Sequence, residues 1–238
     1  MKICLYTAIF GGYETLKPPV QIDGLDYVCF TDNESMRSDI WDIRHMSITN
    51  DLPPPLFYKR IKCLSHQMLP EYDYTIWLDA NFQLKDKSYL SFLFDQLHSD
   101  KLLLYKHFCL AGDPRDCLYE EIKHSRQWPK YAHEDLAKQS VEYHDAGYPT
   151  NSGLYQSGFL LRNNTDPEVA EFNQAWLKEI EKFGKSSPQC QVSLPFVLWK
   201  QGIKFDVVSN ENIWNTDRYY ITNHGDNNKF LPAYEAVS

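Results

Sequence analysis

Trp77-Leu78-Asp79-Ala80-Asn81 carries the strongest chemical signal in this sequence. An apolar run delivers a carboxylate, and a second oxygen donor follows two residues later. Such a pair suits Mg²⁺ or Mn²⁺ held against a diphosphate, because hard cations take oxygen ligands and leave positions open for substrate. Asp79 also suits a plain capping role ahead of a loop, so the five residues alone leave both uses open.

Three further groups can complete such a site. In Thr7-Ala8-Ile9-Phe10-Gly11-Gly12-Tyr13 a strand runs into a Gly-Gly turn. The turn lets backbone approach a ligand closely, and Tyr13 can stack on a base. Thr7, Ala8, Phe10, Gly11 and Tyr13 are therefore candidate nucleotide contacts, joined by Asp32 at the end of Cys29-Phe30-Thr31-Asp32, which can accept from a base or ribose. Lys59, Arg60 and Lys62 follow a proline run, with His66 one helical turn beyond Lys62. One or two of these, Arg60 and Lys62 foremost, can meet donor phosphates, against the alternative of a solvated basic helix face. Near the end, Asn223-His224-Gly225-Asp226 precedes Lys229. A neutral imidazole can complete a metal sphere, and a lysine can offset a leaving diphosphate. Asp79, Asn81 and His224 thus form a candidate metal set, and Asp79, Ala80, Asn81 and Lys229 candidate donor contacts.

The elements that must position these residues are legible from periodicity. Short apolar runs at 2–6, 26–31, 75–78, 101–105 and 159–162 predict strands, each ending at polar residues. Helical patterns cover 56–68 after Pro53-Pro54-Pro55, then 87–98, 117–127, 131–145, 167–182 behind Asp166 as N-cap, and 191–200 ahead of Gly202. Strands alternating with helices predict an α/β fold with a Rossmann-like mixed sheet. One domain is expected over 1–238, with a nucleotide-binding half over about 1–110 and an acceptor half over about 111–238. The segment from Asn212 onward reads as a folded-back loop.

Composition narrows the function classes. The 24 basic and 32 acidic residues give a net charge of −8, which opposes non-specific binding to nucleic acid. An anionic ligand would need local cationic help. The first apolar run is short and already carries Tyr6 and Thr7, unlike a signal h-region, and no stretch approaches a membrane span, so a cytoplasmic protein is expected. Six cysteines without C-x-x-C spacing predict reduced core thiols. Gly11-Gly12 lacks both the dinucleotide fingerprint and the P-loop pattern, which sets aside dehydrogenase and P-loop chemistry.

Taken together, the stretches YTAIFGGYETL, CFTD, KRIKCLSHQMLPEYDYTIWLDANFQL, RDCLYEE, QSGFLLR and SLPFVLWKQGI resemble a glycosyltransferase-like family of plants and bacteria, long catalogued only as a domain of unknown function. The resemblance implies a GT-A-like fold and transfer of a sugar from a nucleoside diphosphate donor, a UDP-sugar favoured, to a saccharide or other hydroxyl acceptor in surface polysaccharide or glycan assembly. It places Asp79 and Asn81 where GT-A enzymes carry D-x-D, and Arg115, Asp116 and Glu120 beside the catalytic pocket. A carboxylate from Asp116, Glu120 or Glu121 would deprotonate or orient the acceptor.

The HGDNNK tail is similar, more loosely, to the H-x-x-G-x-x-K ending of glycogenin-like enzymes. Two departures stand out: Asn81 is uncharged, and Cys190 sits where the family tends to carry Asp. They motivate the rival reading of a nucleotide- or sugar-binding module without turnover. A haloacid-dehalogenase-type phosphatase would want a second carboxylate at position 81 and its nucleophile near the chain start.

Overall fold

The computed structural model describes residues 1–48, 54–108, 115–185, 188–213 and 216–221. Strands β1 (Ile3–Ile9), β2 (Leu25–Thr31) and β4 (Tyr74–Leu78) form from the three clearest apolar runs. They lie side by side and parallel, with β1 in the middle, Ile3 opposite Leu25 on one side and Tyr74 on the other. With β3 (Asp42–His45), β6 (Leu102–Tyr105), β7 (Phe159–Asn163) and β8 (Asp206–Val208) they make a seven-stranded sheet in the order β3-β2-β1-β4-β7-β6-β8. Strand β7 runs against both its neighbours, Phe159 pairing with Leu78. The ends of β1, β2 and β4 and the start of β7 therefore share one edge, where loops of an open α/β sheet can converge on a ligand.

Helices cover both faces. On one face α1 (Pro54–Cys63), α2 (Ser65–Met68), α4 (Leu118–Ser125), α5 (Leu136–Asp145), α6 (Pro167–Phe183) and α7 (Cys190–Gln201) pack over a core that includes Tyr6, Trp77, Trp176 and Phe196. On the other, α3 (Tyr89–Gln96) and a two-stranded ribbon of β5 (Phe82–Leu84) and β9 (Tyr219–Ile221) close over Leu5, Ile76, Leu103 and Phe159. The expected α/β class with a mixed sheet flanked by helices is what the chain adopts.

Several boundaries move. The helix expected over 56–68 starts at Pro54 and divides at Leu64, whose backbone (φ −96°, ψ 45°) leaves the helical region. The helix expected from 131 begins at Leu136, after a 3₁₀ turn over Pro129–Tyr131. Strand β9 lies in the segment read as an irregular loop. Strands β3, β5 and β8, of three or four residues, are too short to leave an alternation pattern, and tertiary pairing creates them.

One buried contact set fixes α1 over the sheet. Arg162 of β7 is fully buried and donates to the carbonyls of Lys62 (2.7 Å) and Cys63 (3.1 Å), which α1 leaves open at its C-terminus. Tyr6 of β1 donates to the same Lys62 carbonyl at 2.8 Å and accepts from Arg162. Two strands thereby set where the last turn of α1 points.

Candidate active site

A cavity of about 550 Å³ opens at the shared edge, lined by the turn after β1, the inner face of α1, the residues after β4, the segment before β7 and the start of α7. Lys59 and Lys62, three apart on α1, project into it together. Both are buried, at 6% and 0% exposure. Burial alone would strip their protons, yet both are held above the ordinary lysine range, Lys59 by Cys190 and Lys62 by Asp79. Lys130, from the 3₁₀ turn, adds a third ammonium at the rim, near the ring of the half-exposed Tyr13.

Asp79 is held from three sides. Its Oδ1 accepts from Lys62 Nζ at 3.2 Å and from the Trp77 indole at 2.7 Å, while its backbone N–H donates to the Gly158 carbonyl at 2.9 Å. A Cβ on residue 158 would lie 3.1 Å from Asp79 Oδ2, so glycine there makes room for the carboxylate. Lys59 Nζ lies 2.9 Å from Cys190 Sγ, and Lys62 Nζ 3.8 Å from it. Burial would raise the Cys190 thiol, but the two ammonium groups outweigh that and bring it down to about 7.

The predicted residues divide. Ala8, Phe10, Gly11, Tyr13, Lys62, Asp79, Ala80 and Asn81 all line the cavity. Thr7 does not: β1 continues to Ile9, and strand alternation turns Thr7 away, buried toward the opposite layer beside Leu5 and Trp41. Asp32 spends both oxygens on the Gly11 N–H, at 3.0 and 3.1 Å, and so shapes the turn (Gly11 φ +65°) instead of facing the cavity. Arg60, one residue round α1 from Lys59, faces Glu181 of α6 at 3.1 Å. Asp116 and Glu120 are exposed and do not line the cavity. Arg115 instead forks onto buried Glu121 at 2.7 and 3.0 Å, and Glu121 accepts from Gln189, a lining residue, at 3.3 Å. The R-D-C-L-Y-E-E segment thus reaches the cavity through Glu121. His224 and Lys229 lie outside the described residues.

Sequence reasoning missed Lys130, Tyr131, Gln156 and Ser157; it counted Lys59 among the three α1 cations of which one or two could meet phosphates, and noted Cys190 without placing it in the site. A lysine pair at i, i+3 behind a proline run was the available signal. Its partners arrive from positions 130 and 190, which no spacing rule connects.

Among the described residues, the cavity offers a poor donor set for a divalent cation. Oxygen Oδ1 of Asp79 is already taken by an ammonium and an indole N–H, Asn81 is neutral, and three lysines crowd the same cavity. Among the described residues, no three His, Cys, Asp or Glu side chains gather to hold a metal.

The chain is thus an α/β protein whose sheet-edge cavity is lined by Lys59, Lys62 and Lys130 beside Asp79 and Glu14. More specifically, the chain belongs to the TOD1/MUCI70 glycosyltransferase-like domain family, whose model matches residues 57–219. No curated protein matches the chain. Among solved structures it is similar to apo mouse xyloside xylosyltransferase 1, at 10% identity and a TM-score of 0.49 over 87% of this chain and 85% of that one. It is also similar to the apo form of the bifunctional glycosyltransferase WbbM, at 8% identity and a TM-score of 0.47, over 82% of this chain but 37% of that one. No described helix is long and apolar enough to cross a membrane.

Proposed function

We propose that this protein transfers a sugar from a nucleoside diphosphate donor, a UDP-sugar by preference, to a saccharide or other hydroxyl acceptor in glycan assembly, within a GT-A-like frame. The observation that carries the reading is the convergence of Lys59, Lys62 and Lys130 on one cavity in a chain of net charge −8. Such a cluster is the local cationic help that an anionic donor requires.

In this reading the base lies along Ala8 to Tyr13 and stacks on the Tyr13 ring. The diphosphate meets the lysines. As the glycosidic bond to the donor breaks, negative charge grows on the leaving diphosphate, and buried ammonium groups stabilise that charge more than they stabilise the ground state. Lysine thus does the electrostatic work that a metal does elsewhere. Asp79, braced by Trp77 and Gly158, holds Lys62 in position.

The rival reading of a binding module without turnover has one observation in its favour: Asp116 and Glu120, the expected acceptor-side carboxylates, do not line the cavity. Isothermal titration with UDP and with uridine, each with and without EDTA, beside a donor-hydrolysis assay, tests both. The transferase reading expects UDP to bind at least about tenfold more tightly than uridine, unchanged by chelation, together with measurable donor hydrolysis. Equal affinities would sink the diphosphate site, and binding without hydrolysis would favour the module.

A further inference from the structure

Cys190 closes a line of alternating charge along the cavity wall. From Lys59 Nζ it is 2.9 Å to Cys190 Sγ, from Sγ 3.8 Å to Lys62 Nζ, and from there 3.2 Å to Asp79 Oδ1. Cys190 is 2% exposed, lines the cavity at the start of α7, and its sulfur bonds Ser157 Oγ at 3.3 Å. A thiol that only filled space would not account for two buried ammonium groups aimed at one sulfur, since a buried charge requires a partner.

On the basis of the nucleotide-sugar reading, we propose that Cys190 is a positioning residue: its thiolate holds Lys59 and Lys62 in place and sets how much positive charge the cavity offers to an anionic donor. Glu121 of α4 lies behind Gln189, the residue before Cys190, and the other charged and titratable groups around the sulfur come from three elements. They are Tyr58, Lys59, Lys62 and Cys63 on α1, Asp79 after β4, and Lys130 and Tyr131 in the 3₁₀ turn. Burial, with Lys59 nearby, moves Lys130 down from the lysine range. It carries Tyr58 well up, and Cys63 and Tyr131 each to about 12, while Lys59 and Lys62 sit above the lysine range, so these do not titrate near neutrality. Cys190, at about 7, does.

The sign follows. Below that point the sulfur is neutral, and both ammonium groups are available to a diphosphate. Above it the thiolate competes with the diphosphate for them. Bound donor therefore favours the protonated thiol, and affinity falls as pH rises through about 7.

The test uses the full chain and UDP as probe, with calorimetry between about pH 6 and pH 8.5. The ratio of wild-type to Cys190→Ser affinity, which cancels the ionisation of UDP itself, is expected to fall about tenfold over that range. Cys190→Asp, which keeps an anion, should bind UDP more weakly than Cys190→Ser at every pH, with no such slope. A second arm needs neither nucleotide nor variant: the rate of iodoacetamide alkylation at Cys190, followed by peptide mass spectrometry, should reach half its plateau near pH 7. In Lys59→Met that midpoint should rise toward the ordinary thiol value of about 8.5. A wild-type midpoint already at the ordinary value, or a UDP affinity ratio independent of pH, would overturn the proposal. Failure of UDP to bind any form would overturn the nucleotide-sugar reading instead, and the alkylation midpoint would still decide whether Cys190 is held as a thiolate.

Discussion

Lys62 Nζ sits 3.2 Å from Asp79 Oδ1, with the lysine side chain 1% exposed and the aspartate 27% exposed. A helix residue and a strand-end residue seventeen positions apart thus form one ion pair at the cavity wall. Removing one partner of a fully buried pair typically costs about 3–5 kcal/mol, and the partial exposure of Asp79 reduces this to about 1–3 kcal/mol. Asp79→Asn is accordingly expected to lose about that much in urea denaturation at pH 7. A carboxylate whose sole duty was to ligand a metal would leave the stability of the metal-free protein unchanged or improved.

Charge removal at the other two lysines separates phosphate contact from base contact. Lys59→Met and Lys130→Met should each weaken UDP about tenfold and change uridine binding by less than about twofold. A parallel loss for both ligands in calorimetry would mean that these side chains shape the cavity without meeting a diphosphate.

Tyr6→Phe probes the support beneath the site. The hydroxyl donates to the Lys62 carbonyl and accepts from Arg162, all three groups being buried. Its loss should cost about 1–3 kcal/mol, because the Lys62 carbonyl and the charged Arg162 each lose a buried hydrogen bond while keeping the one between them. UDP affinity should fall with it, since the last turn of α1 carries Lys62. Full UDP affinity in a destabilised Tyr6→Phe would show that the lysine is placed by its own cavity contacts.

His107 gives a prediction about acid stability. Burial, reinforced by the positive charges of Arg115 and His124, lowers its pKa to about 3. The unfolded chain takes up this proton near the ordinary histidine value of about 6.5, and the folded chain refuses it. The unfolded state therefore binds more protons between those values, and stability falls as pH drops, by about 1.4 kcal/mol per unit. Above about 6.5 the contribution is fully present. Denaturation at about pH 7 and pH 5 should show His107→Gln losing about 2 kcal/mol less than wild type over that step. Equal slopes would mean that His107 accepts a proton in the folded protein.

Much of the frame was legible because it rests on local rules. Apolar runs ending in polar residues marked β1, β2 and β4, and Asp166 with Pro167 marked the start of α6, where the aspartate accepts from the N–H groups of Glu168 and Val169. Asp79, Ala80 and Asn81 were placed in the site because a strand end in a parallel sheet is a ligand edge whatever its neighbours are. Gly11 and Tyr13 followed from the same reasoning.

What the tertiary structure decided is which side chains face one another. Thr7 and Ala8 are adjacent in sequence, and it took the observed length of β1 to send one to each side of the sheet. Lys59 and Arg60 are equally cationic, but the seat of α1 against Arg162 and Tyr6 turns the first toward Cys190 and the second toward Glu181. The line Lys59, Cys190, Lys62, Asp79 joins residues up to 131 positions apart, and its energetics come from burial that none of them has in the unfolded chain. Sequence alone thus determined the α/β frame, its longer strands and a glycosyltransferase-like family. The packing of α1 and α7 against the sheet edge made lysine and thiolate its electrostatics, because charge in a buried place is set by what else is buried with it.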